Sequence, residues 1–163
     1  MSSCGPDRVL EKQATVDAAI APVWEAWTTG EGIKSFFAPA CNVDLKVDGP
    51  FEILFDPAAE TGKRGAEGCR ILAFQPEKML AFTWNAPPHL AEARKHWTHV
   101  VVRFEEAGPG STRITIRHDG WGEGGEWDRA FEYFDRAWET VLRWLRYRFE
   151  KGPIDWDNPP GNV

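Results

Sequence analysis

The chain has 163 residues, 42% hydrophobic and 27% charged, proportions that suit one globular domain large enough to bury a core. Its net charge of −6 argues against a nucleic-acid partner, since phosphate-backbone binding needs a basic face that displaces counterions. Three scattered cysteines (Cys4, Cys41, Cys69) form no CxxC pair, the first ten residues lack a signal peptide's apolar core, and no run approaches a membrane span; a reducing cytoplasm is the expected compartment.

In chain order, residues 1–7 read as a loosely ordered tail and Arg8 to Ala18 as an edge or first strand. Ala19 to Thr28 reads as a helix, with Pro22 in its first turn and Ile20, Val23, Trp24 and Trp27 spaced along one face. Gly30 and Gly32 are expected to break it before a second short helix, Ile33 to Phe37. Strands follow at Val43 to Val47 and, after the turn Asp48-Gly49-Pro50, at Phe51 to Phe55, where Phe51, Ile53 and Phe55 share a face. Pro57 to Glu67 reads as a loop, Gly68 to Phe74 as a strand, and Met79 to Trp84 as its antiparallel partner. Asn85 to Lys95 is a longer connection. Trp97 to Glu106 and Thr112 to Asp119 make the clearest hairpin, across Ala107 to Ser111.

After the glycine-rich run Gly120 to Gly125 comes the strongest helix, Glu126 to Lys151. Trp127, Phe131, Phe134, Trp138, Leu142, Leu145 and Phe149 advance by three or four residues, giving an apolar stripe about six turns long. Gly152-Pro153 ends it, and 152–163 reads as a second loose tail. A lone helix with so wide an aromatic stripe must bury it on the concave face of a sheet. The expected architecture is α+β, a helix-grip fold. A curved antiparallel sheet of about six or seven strands surrounds one long C-terminal helix, with two short helices after the first strand, all in a single domain over 8–151.

Several segments carry a resemblance over nearly the whole chain. Ala21-Pro22-Val23-Trp24-Glu25-Ala26-Trp27-Thr28, Phe36-Phe37-Ala38-Pro39 and Val47-Asp48-Gly49-Pro50-Phe51 resemble the opening of proteins similar to the activator of heat-shock protein 90 ATPase. Phe82-Thr83-Trp84, Thr98 to Glu105, Thr112 to Ile116, His118-Asp119-Gly120-Trp121 and Trp138 to Leu145 continue it. That group belongs to the START-like (SRPBCC, pollen-allergen-like) superfamily. The resemblance implies an apolar cavity between sheet and helix, in a superfamily of lipid carriers, hormone receptors, polyketide cyclases and a co-chaperone domain. Fold does not choose among these roles.

The candidate ligand-binding residues are Phe51, Phe55, Arg70, Phe82, Trp84, Val102, His118, Trp127, Phe131, Phe134 and Trp138. The aromatics either line a cavity for an apolar ligand or pack into a filled core. Arg70 is placed inward, on a face with Gly68, Leu72 and Phe74, and pairs there with a ligand carboxylate or with Glu52, Asp56 or Glu132. His118, inward with Ile114 and Ile116, is either a general base or pH-sensitive gate, or a structural residue bonded to a backbone carbonyl. No cofactor is expected. No metal is expected either, since His96 and His99 fall on opposite faces of a strand. Three functions follow. The first is non-catalytic binding of a small hydrophobic ligand. The second is a co-chaperone-like interaction module, marked by an exposed apolar patch around Trp144, Trp121 or Trp156. The third is a cyclase or hydrolase using His118 or Arg70. The 57–67 loop, the 85–95 connection and the 120–125 turn are expected to border the cavity mouth. Monomer and homodimer are both open.

Overall fold

The computed structural model describes residues 8–161; the first tail and Cys4 lie outside them. The elements are β1 (Leu10–Val16), α1 (Ile20–Thr28), α2 (Gly30–Phe36), β2 (Ala40–Val43), β3 (Phe51–Leu54), β4 (Ile71–Gln75) and β5 (Met79–Trp84). A 3-10 turn (Ala93–Lys95), β6 (Thr98–Glu106), β7 (Thr112–Asp119) and α3 (Trp127–Lys151) complete the order. Five strands form one antiparallel sheet in the order β1-β7-β6-β5-β4, while β2 and β3 pair as a separate ribbon. Backbone bonds from Phe51 N to Cys69 O (2.8 Å) and from Ile71 N to Gly49 O (2.9 Å) join the ribbon to the start of β4. The expected six or seven strands are thus present, but as five plus two.

Alternation decides which face is covered. Along β6, Thr98, Val100, Val102 and Phe104 are buried while His99, Arg103 and Glu105 are exposed; β7 repeats the pattern with Thr112, Ile114, Ile116 and His118 inward. The inward face meets α3, which buries Ala130, Phe134, Trp138, Val141, Leu142 and Leu145. Each large apolar side chain so buried contributes roughly 1.5–3 kcal/mol against exposure. On the rim, Arg8 pairs with Asp128 (2.8 Å), and Lys12 pairs with Asp135 (2.9 Å) and Glu139 (2.8 Å), fastening β1 along α3.

Four expectations are corrected. The helix break after α1 is made by Thr29, which is extended (φ −123°, ψ 154°), caps both helices, and accepts from Gly32 N at 3.0 Å. Gly30 lies inside α2, and Gly32 serves a different need: a Cβ there would lie 2.2 Å from Glu25 O, so only glycine lets α2 pass this close to α1. The strand expected at 43–47 falls instead at 40–43. Arg70 and Leu72 are exposed, Leu72 at 45%, rather than inward. A bulge between Ile71 and Ala73 is the cause. Ile71 opposes Phe82 and Phe74 opposes Leu80, so two inward residues stand three apart and the face alternation reverses between them. Finally, the segment after α3 is anchored. Ile154 is buried with its N–H on Ser35 O (2.9 Å), and the Trp156 indole donates to Lys34 O (2.6 Å).

Candidate functional site

The interior divides into a filled part and an open part. Phe51 stacks on Phe82 with ring centroids 4.3 Å apart, and both are buried with Val102. Trp127 and Phe131, on the first turns of α3, pack at the far end of the helix, Phe131 against Trp121 (5.3 Å) and beneath the Arg8 guanidinium (4.5 Å). Gly122 receives the Trp127 ring; a Cβ there would sit 2.2 Å from the indole nitrogen. Phe51, Phe82 and Val102 are core, and Trp127 and Phe131 are half-buried and pack against it. Arg70 is outside altogether, its guanidinium donating to Asp48 O at 2.8 Å.

The open part is a cleft of about 630 Å³ between the middle of α3, the end of β5, the end of α2 and two loops. Of the candidates, Phe55, Trp84, Phe134 and Trp138 line it. Phe55 lies one residue beyond β3, 45% exposed, with its ring 5.9 Å from Phe37 and 6.4 Å from Trp84. Trp84 and Trp138 lie 5.4 Å apart and form the aromatic floor. Phe37, Tyr133, Ala137, Val141 and Trp144 extend the apolar wall. The volume falls within the ~300–1,000 Å³ of ordinary small-molecule sites.

The cleft's outer wall is built by residues that periodicity does not mark. Arg94 donates from Nη1 to Ala86 O (2.6 Å), from Nε and Nη2 to Gly62 O (3.1 and 2.9 Å), and from Nη2 to Gly65 O (2.7 Å). Glu67 stands 3.8 Å behind it and accepts from the amides of Gly62 and Arg64. Burial alone would raise the Glu67 carboxyl, but these amide bonds and the charges of Arg94 and Arg64 outweigh it and hold the pKa below the usual range. The pair stitches the 57–67 loop to the 85–95 connection, two of the three loops expected at the mouth. The third, 120–125, contributes nothing to the lining. Burial, meanwhile, pushes the nearby Cys69 thiol up to about 12, which leaves it without thiolate character.

His118 is fully buried and does not line the cleft. Its Nδ1 accepts from the Trp138 indole (3.0 Å), and because an indole N–H only donates, the ring proton sits on Nε2, facing Thr98 Oγ1 at 2.7 Å. The partners are thus side chains rather than the expected backbone carbonyl. Burial, then the nearby His99 charge, pushes its pKa well below the ordinary imidazole value. A neutral ring wedged between Trp121 (4.2 Å) and Phe134 (5.0 Å), with both nitrogens engaged, is a lock between β7, β6 and α3. Of the three residues offered as centres of an exposed apolar patch, Trp121 is buried, while Trp144 and Trp156 are half-buried and pack edge-to-face at 5.3 Å.

Among the described residues, no group of three or more His, Cys, Asp or Glu is placed to hold a metal, and no helix is long and apolar enough to cross a membrane.

The model of the family described as "Activator of Hsp90 ATPase homolog 1-like protein" matches residues 17–150. No curated protein matches. Among solved structures, a protein from Mesorhizobium loti superposes with a TM-score of 0.71 at 19% identity, over 90% of this chain and 100% of that one. The Aha1 dimer from Colwellia psychrerythraea gives 0.64 at 16%, over 88% and 97%. An HSP90 activator from Plasmodium falciparum gives 0.62 at 16%, over 86% and 92%. At these identities the superpositions show a shared fold.

Proposed function

The chain belongs to the Activator of Hsp90 ATPase homolog 1-like family, and from that premise we propose that it binds a small, largely apolar molecule in the cleft between α3 and the sheet, without transforming it. The observation that carries this reading is the cleft itself: about 630 Å³, floored by Trp84 and Trp138 and walled by Phe37, Phe55, Phe134 and Trp144, beside the buried aromatic core. Affinity would come from burying ligand surface against these rings at roughly 25 cal/mol per Å² of apolar area. Rings of this kind add area at little entropic expense, since each has only two rotatable side-chain bonds. The test is native mass spectrometry of the protein purified from its own host. A discrete apolar mass released on denaturation is the expected result, and protein that emerges bare and also fails to take up added aromatic compounds overturns the reading.

A second reading is favoured by the family match and by the HSP90 activator among the superposing structures: a co-chaperone-like module that meets its partner through the outer surface. The two separate cleanly, because only the first depends on the cleft being empty. Catalysis by a cyclase or hydrolase is less well served. His118 is sealed behind Trp138 and Arg70 is on the outside, so neither candidate acid–base group reaches the cleft.

A further inference from the structure

We propose that the ligand of the cleft is an aromatic or polycyclic anion, a carboxylate in the simplest case, whose rings lie on the Trp84–Trp138 floor and whose charge is met by Arg64 and Arg136. This rests on the cleft being a binding site and adds the chemical class of its occupant. In a chain of net charge −6, the cleft is lined by Lys63, Arg64, Arg94 and Arg136 against Asp56 alone. The four cations are not equivalent. Arg94 is consumed by the carbonyls of Gly62, Gly65 and Ala86 and neutralised by Glu67, so it builds the wall. Lys63 is paired with Glu60 at 2.7 Å.

Arg64 uses only Nε, on Ala59 O at 2.9 Å; its charge also acts on Glu67, but the two terminal nitrogens of its fork make no hydrogen bond among the described residues. Arg136 forms no ion pair among the described residues. Two of its acidic neighbours on α3, Asp135 and Glu139, are turned to Lys12 on the opposite flank. Glu132, one turn before Arg136, is exposed and outside the lining. Arg64 comes from the 57–67 loop and Arg136 from α3, so two separate elements each bring a cation to the cleft. A guanidinium fork matches a carboxylate in geometry, and low-dielectric aromatic walls strengthen the attraction.

The test pairs pyrene-1-butyrate with its primary amide, which has nearly the same shape and no charge, titrated by probe fluorescence at low and high salt. The expected result is that the carboxylate binds about tenfold tighter than the amide, the scale of a single charge-assisted contact. Salt should erode that preference; it should shrink in Arg136→Gln and disappear in the Arg64→Gln/Arg136→Gln double variant, while amide binding persists. Arg136 is exposed, so its variant leaves the core untouched. Equal binding of the two probes, or a carboxylate preference that survives in the double variant, overturns the anion assignment and leaves the binding site standing. Failure of both probes to bind removes the binding reading and this inference with it.

Discussion

His118 can accept the Trp138 proton only while it is neutral, and so it carries a definite pH response. The unfolded chain takes up a proton at this position near the ordinary imidazole value of about 6.5, while the folded state, with its pKa pushed well below that by burial, resists it. The folded state therefore keeps its full stability above that value and loses it as pH falls, by about 1.4 kcal/mol per pH unit until the folded pKa is reached. Urea unfolding at pH 7.5 and 5.5 measures this. His118→Gln retains an acceptor for Trp138 and a donor for Thr98 without titrating, so between these two pH values it should lose less stability than the parent, by up to about 1.4 kcal/mol. Equal losses would assign the response to other groups. At the same node, Trp138→Phe leaves Nδ1 without its donor and is expected to lower stability by about 1–3 kcal/mol, read from the same unfolding curves.

At the scale of elements, the outer wall of the cleft has no secondary structure to hold it, and Arg94 and Glu67 supply what a strand would otherwise provide. Arg94→Lys offers one point charge where a planar fork had reached three carbonyls, so the 62–66 backbone should lose its order while the sheet stays intact. Hydrogen exchange is expected to accelerate in that segment and to remain unchanged in β6 and β7; uniform acceleration would mean that the pair supports the whole fold. Because the folded Glu67 pKa is depressed, its contribution is present above its unfolded value near 4.3 and lost as pH falls through the folded one, so acid should loosen the same segment in the parent protein. The same wall explains where sequence reading stopped. The β5 and β7 limits were legible to the residue, and α3 to within one, because uninterrupted alternation and a six-turn stripe leave little choice of register. At β4 a single bulged residue reversed the faces and sent Arg70 and Leu72 outward, and no residue type announces a bulge. The aromatic floor could be read as inward, but period alone cannot divide inward residues between a filled core and a cavity. Arg94 lay beyond reach because its role is written in carbonyls brought together from three separate loop positions.

For the molecule as a whole, one substitution separates work done inside the cleft from work done on the outer surface. Ala137 is half-buried on the cleft face of α3, between Phe134 and Val141, so a larger side chain there grows into empty space rather than into packed neighbours. Ala137→Trp should therefore fill much of the cleft at a stability change well below the ~1–3 kcal/mol of overpacking a closed core. If the protein is a carrier, this variant keeps the parent's unfolding midpoint and loses both the co-purifying mass and the uptake of pyrene-1-butyrate. If the protein is a surface module, the same variant stays folded and retains its association with a chaperone, as judged by pull-down against the parent. A filled cleft that still yields the same bound mass would place the ligand elsewhere. That outcome would shift attention to the second hollow, between α1, α2 and the anchored segment after α3, where Arg148 and Trp156 meet the ends of both short helices.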